Sequence, residues 1–280
     1  MTMMMMLRCV SWLLLVVQVV ASSSDVMSPI QNLEASLAAS MAQSTTVAMK
    51  TKDDCVVLVY QSANGSTSKL LATPSKRKSF ERNGLQLNPS RSSSRWAMLS
   101  PNSFCTMTGF SADVAHLTKV LARTVESHQA VYTQQLPIIK CVRSLSLVLQ
   151  RAAQRDGARP YGIQALLVGL DEHGFQLYSC DPTGLYRHFS NGKTVIGKYG
   201  ESIKKELGDR PADAAAAFQA CLKAIVHASK KENFKLDSHT LEGLLLSKSA
   251  AGECEVAQID SDFLEKCYRE IQEQEDIATE

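Results

Sequence analysis

Apolar and polar positions along the chain sort into two periods. From Thr45 to Lys50 and from Cys55 to Tyr60 the residues are β-branched and apolar, split by the polar stretch Thr51 to Asp54. That pattern predicts a β-hairpin. Phe104 to Thr108 predicts a further strand, and Ala165 to Leu170 an apolar strand buried on both faces. Gln176 to Ser179 pairs back onto it across Asp171 to Gly174. Thr194 to Gly197 and Glu255 to Ile259 complete the predicted strands. Elsewhere the period lengthens to that of a helix. Val114, Leu117, Leu121 and Val125 line one face, with Ser111 placed to cap the start. Ile138, Val142, Leu145 and Leu149 line another, after Pro137. Helices are also predicted over Leu33–Ala42, Gly200–Leu207, Ala212–Ser229 and Ser261–Gln274. Asn83 to Asn102 reads as a loop with a Ser/Arg-rich centre at Ser90–Arg95, bracketed by Pro89 and Pro101. Strands and helices fall in segregated blocks, which favours an α+β layered fold over a doubly wound parallel sheet.

Composition narrows the function. The 280 residues carry 30 basic and 28 acidic side chains, a net charge of +2, with 45% hydrophobic content. This is an ordinary globular balance, without the basic excess of a nucleic-acid-binding surface. The eight cysteines are scattered, with no C-x-x-C pair, which fits buried thiols in a reducing compartment. The N-terminus points the other way. A basic start to Arg8, an apolar run from Cys9 to Val20 and the small residues around Ala21 have the form of a secretory signal. The run is short for a membrane span, and Met27 offers an alternative start. The chain therefore divides into a leader over residues 1–27, one domain over 28–260 with an inserted loop at about 83–102, and a charged C-terminal helix and tail over 261–280.

The six histidines share no metal-ligand spacing, and no metal or cofactor is expected. Asn191-Gly192-Lys193-Thr194 looks like the end of a phosphate loop, but Arg187 stands where the first glycine is needed. There is no G-x-S-x-G elbow.

Several motifs occur in a fixed order. Gly109-Phe110-Ser111-Ala112-Asp113 opens the long helix. Arg159-Pro160-Tyr161-Gly162 precedes the buried strand, and Asp181-Pro182-Thr183-Gly184 follows its hairpin. Pro160 and Gly162 stop one element and start the next, and Pro182 and Gly184 supply turn chemistry, so these residues read as structural. In order and spacing, from about Thr45 to Ser229, the set resembles proteasome alpha-type subunits. The resemblance implies the N-terminal nucleophile hydrolase fold, a four-layer α/β/β/α sandwich of two antiparallel sheets. It also implies a non-catalytic place in a seven-membered ring with other alpha subunits. The implied partners are beta-ring subunits and regulatory or activator particles, with no nucleic acid and no membrane. Cytoplasm and nucleus are the compartments it implies.

In the active beta relatives a threonine freed after a glycine is the nucleophile, its own amine acts as base, and Asp and Lys tune the site. Here Ser44 precedes Thr45, and neither threonine frame supplies the aspartate: its place falls at Gln61 or Ser62. The family's activator-pocket lysine maps to Lys78, which also reads as a solvent-facing member of Lys76-Arg77-Lys78. The family's Y-D-R gate motif is not visible before Ser28-Pro29. Two other readings stay open at this level. One is an active threonine-type peptidase subunit, and the other a divergent secreted paralogue with a glycosylation sequon at Asn64.

Overall fold

The computed structural model describes residues 28–42, 44–61, 80–82, 85–89, 96–155, 158–234, 236, 240–250 and 252–279. The signal-like leader, the Ser/Arg-rich run, Asn64 and Lys78 lie outside them.

A helix, α1 (Pro29–Met41), opens the described chain. It starts on a capping box: Gln31 N–H donates to Ser28 Oγ at 3.2 Å, and Ser28 N–H donates to Gln31 Oε1 at 2.9 Å. Pro29 at the first turn sets the helical φ at no hydrogen-bond cost. There follow β1 (Thr45–Lys50), β2 (Val56–Gln61), β3 (Phe80–Arg82), β4 (Leu85–Pro89), β5 (Trp96–Ser100) and β6 (Ser103–Gly109). Two long helices come next, α2 (Ser111–Tyr132) and α3 (Ile138–Gln154). The chain then returns to strands: β7 (Ile163–Asp171), β8 (Gly174–Cys180), β9 (Tyr186–His188) and β10 (Lys193–Gly197). It closes with α4 (Gly200–Glu206), α5 (Ala214–Lys231), β11 (Leu241–Lys248), β12 (Cys254–Ile259) and α6 (Ser261–Thr279).

The strands form two antiparallel sheets. One has seven strands in the order β10-β1-β2-β11-β12-β4-β3, and the other five in the order β5-β6-β7-β8-β9. Strand parity explains why they stack. Successive side chains of a strand point to opposite faces. In β2, Val56, Leu58 and Tyr60 face the other sheet while Val57 and Val59 face helices. In β7, Leu166, Val168 and Leu170 meet that same middle core, and Ala165 and Leu167 turn to the helices on the far side. Both faces of these strands are apolar, so each sheet is buried twice. Three cores separate four layers: α4, α5 and α6 on the seven-stranded sheet, the sheet-to-sheet core, and α2 and α3 on the five-stranded sheet. This is the four-layer α+β sandwich expected from the sequence.

Three local expectations change. The segment from Asn83 to Asn102 holds β4 and β5 rather than only loop. Leu85 and Leu87 alternate into the helix-side core, and Trp96 stacks on Phe104 at 5.6 Å in the middle core. Burial of these few large residues outweighs the turn-rich composition around them. The N-cap of α2 is Phe110, not Ser111, and no side chain caps it. Strand β11 was not anticipated, although it joins β2 to β12 in the larger sheet and buries Leu244, Leu245 and Leu246.

Candidate functional site

The three sequence motifs meet in two structural nodes. At the first, the G-F-S-A-D start of α2 abuts the R-P-Y-G lead into β7. Gly109 has φ +120°, and a Cβ there would fall 2.1 Å from the Gly162 carbonyl oxygen. Phe110 N–H donates to that same carbonyl at 3.1 Å. A Cβ on Gly162 would in turn fall 2.6 Å from the Phe110 ring, so both glycines are required by close approach. Asp113, one turn into α2, reaches across. Its Oδ1 accepts from Arg159 Nη2 at 2.7 Å, and its Oδ2 accepts from Arg159 Nη1 and from Gly162 N–H, each at 3.0 Å. The fork-to-fork geometry suits a guanidinium and a carboxylate.

Burial alone would push the Asp113 carboxyl up. The Arg159 hydrogen bonds, the Gly162 N–H and the nearby Arg159 and His116 charges outweigh burial and hold it below the usual carboxylate range. Arg159 itself is largely exposed and lies over the Phe110 ring, 5.6 Å from its centroid. Pro160 fixes the bend and offers its carbonyl to Ser36 Oγ of α1 at 3.3 Å. The node thus ties α1, α2 and β7 together.

The second node is the Asp181–Gly184 turn. Asp181 Oδ1 accepts from Thr183 N–H at 2.9 Å, and Gly184 N–H closes the turn on the Asp181 carbonyl at 2.9 Å. Pro182 is buried. Gly184 has φ +82°, and a Cβ there would meet Gln150 at 2.4 Å. Its carbonyl accepts from Ser146 Oγ at 2.5 Å, which pins the turn to α3. In the same turn the Thr183 hydroxyl donates to Asp181 Oδ1 at 2.5 Å, a contact between two residues of one tight turn. Among the described residues no group of His, Cys, Asp and Glu could hold a metal ion.

The threonine strand is the position where catalysis would have to occur. Thr45 and Thr46 are each 2% exposed. Thr45 opens β1, paired with Gly197 on β10 and with Gln61 on β2. Its Oγ1 donates to the Lys198 carbonyl at 2.7 Å. Gly197 has φ +90°, and a Cβ on it would fall 1.8 Å from the Ser44 carbonyl oxygen. The Ser44 carbonyl just upstream of Thr45 is therefore packed against Gly197. The residue opposite Thr45 on β2, where an acid was sought, is the neutral Gln61. Ser62, Arg77 and Lys78 lie outside the described residues.

Several contributors escaped the sequence reading. Gln164 Oε1 accepts from Gly197 N–H at 2.8 Å and joins the two sheets at the threonine end. At the other end Lys50 Nζ meets Asp54 Oδ1 at 2.9 Å and donates to the Phe175 carbonyl at 2.8 Å. Asp54 accepts in turn from Phe175 N–H at 3.1 Å. The positive φ of Asp54 gives no sequence signal beyond the polar turn. Tyr60 hydroxyl donates to Glu242 Oε2 at 2.6 Å, a contact that depends on the unanticipated β11.

Stacked antiparallel sheets between helix layers, with the threonine strand internal, define a sandwich of the N-terminal nucleophile hydrolase type. A family model described as Proteasome subunit matches residues 41–242. The chain belongs to the proteasome subunit family. It is similar to the proteasome subunit alpha type-2 of Dictyostelium discoideum, 29% identical over 153 residues, covering 55% of this chain and 65% of that protein. It is 28% identical over 169 residues to the alpha type-2 subunit of Oryza sativa subsp. indica, covering 60% and 71%. With the alpha type-4 subunit of Drosophila melanogaster it shares 33% identity over 117 residues, covering 40% and 44%. The chain thus spans less than two thirds of the length of the Dictyostelium relative, and under half of the Drosophila one.

Proposed function

We propose that this protein is a non-catalytic alpha-type subunit of a proteasome core particle, acting in protein degradation through position rather than chemistry. The observation that carries this reading is the threonine strand. Thr45 is buried, with its hydroxyl on the Lys198 carbonyl and the neutral Gln61 across from it. Nucleophilic attack by a terminal threonine needs a free amine as base and a group to tune it. The upstream helix adds support, because α1 is stitched to the domain through Ser36 and Pro160 rather than left as a detachable leader. The alpha-type names of the relatives agree.

On this reading the partners are other alpha subunits in a seven-membered ring, beta-ring subunits, and regulatory or activator particles. The chain contributes to ring assembly, to gating substrate access and to activator docking. An ammonium at Lys78 would suit the terminal carboxylate of an activator. The compartments are cytoplasm and nucleus. The seven described cysteines are all buried, which fits thiols kept in a reducing environment. Native mass spectrometry of the particle recovered with the tagged chain tests this. One copy beside six other alpha-type chains is expected. A monomer, or a ring of this chain alone, refutes it.

A further inference from the structure

Helix α1 is patterned against the rule for a surface helix, which turns apolar residues to the core and polar ones to water. Its two buried residues are Ser36 and Ser40, while Ile30 is 70% exposed and Met41 48% exposed. The serines face inward because α1 lies close against the lead into β7. Ser36 Oγ donates to the Pro160 carbonyl, and a Cβ on Gly162 would fall 3.5 Å from the Ala39 methyl. The helix carries one charged residue, Glu34. At about 100° per residue, Ile30, Glu34, Leu37 and Met41 fall within about 60° of one another. They make one seam at spacings of four, three and four, and Leu37 within it is half-buried. An apolar seam at that spacing is the pattern by which one helix packs on another.

The sequence supplies a matching segment just upstream. No residue from Cys9 to Ser24 is charged, and Cys9–Val20 is apolar except for Ser11 and Gln18. Such a run is unfavourable in water and calls for cover. Coiled as a helix it would span about 18 Å, close to the length of about 20 Å for the 13 residues of α1. The connection Ala21–Ser28 contains Ser22, Ser23, Ser24 and Asp25 and ends at the capping box that starts α1. Its length is that of an ordinary link between antiparallel helices, which has to bridge only about 10 Å. Because run and seam belong to one chain, the effective concentration of one for the other is of about millimolar order. A separate chain competes with that only through extra contacts.

We infer that the run Cys9–Val20 stays on the mature chain and folds back over Ile30, Leu37 and Met41, so that leader and α1 form a helical hairpin. The signal-like run then serves as the cover of α1 rather than as an export address. The inference goes beyond the proposed subunit role and does not depend on it.

The test uses the full chain as recovered from cells. The photo-reactive substitution Met41→p-benzoylphenylalanine is irradiated, and its adducts are read by peptide mass. Adducts within the same chain, onto Cys9–Val20, are expected. Chymotrypsin gives a second reading, since it cuts after Trp12 and the leucines that follow it. The variant Ile30→Gln/Met41→Gln should be cut in the leader about tenfold faster than the wild type, because cutting follows the population of the undocked leader. Both side chains are exposed in the described fold, so the rest of the domain should melt with the wild type. Three results overturn the inference. One is a mature chain that begins near Ser22. Another is adducts from position 41 onto a different chain or onto lipid in place of the leader. The third is equal cutting of variant and wild type. None of the three touches the subunit assignment, which the composition of the particle tests separately.

Discussion

Replacing Asp113 by Ala should destabilise the domain more than any other single change at its polar contacts. Two losses add. The Gly162 N–H, buried at the start of β7, loses its acceptor, and an unsatisfied buried donor costs about 1–3 kcal/mol. The bidentate pair with Arg159 also goes. That guanidinium is 60% exposed and regains water, so the pair is worth about 1 kcal/mol rather than the value of a buried pair. Together the loss is about 2–4 kcal/mol. Urea unfolding followed by circular dichroism measures it. The difference should also depend on pH. Asp113 has its folded-state carboxyl held below the ordinary range, so its ionic contribution is full above the unfolded value. It is lost as pH falls through the lower folded value. Asp113→Asn, which removes the charge but keeps an acceptor, should therefore differ most from wild type near neutrality and converge on it in strong acid. A loss under about 0.5 kcal/mol for Asp113→Ala, the range of a change to an ordinary surface side chain, would refute the reasoning. So would a gap between Asp113→Asn and wild type that stays constant across the acid range.

Other outcomes follow from the same geometry. Gly197→Ala forces a Cβ onto the Ser44 carbonyl at a φ of +90°, so soluble expression should fall sharply and the melting temperature with it. Ser146→Ala releases the Gly184 carbonyl from α3 and should cost about 1 kcal/mol in chemical denaturation. Burial pushes the thiols of Cys105, Cys180, Cys221 and Cys254 up to about 12, so iodoacetamide should leave these four unmodified in the native state and label them after unfolding, read by peptide mass.

The fold was legible where the sequence carried period and punctuation together. Val114 to Val125 and Ile138 to Leu149 announced α2 and α3, and Ala165 to Leu170 announced the core of β7. Strand β11 went unread because Gly243 and Glu242 interrupt its alternation. Its apolar run Leu244–Leu246 was the available signal. The Gly243 Cβ position is filled by Ile259 of β12, a tertiary reason that no local rule can supply. The motif residues were visible one by one. That Asp113 reaches both Arg159 and Gly162, 46 and 49 residues away, was not, because a bidentate contact has no spacing. The threonine strand was the most legible part of the site. The packed Ser44 carbonyl turned a missing glycine in the sequence into an occupied position in the fold.

The central claim is that the threonine strand never becomes a nucleophile. Terminal-amine sequencing of the chain within the native particle tests this most directly. The account predicts an N-terminus upstream of Thr45, with the residues of α1 retained. A mature chain beginning at Thr45 or Thr46 would contradict it.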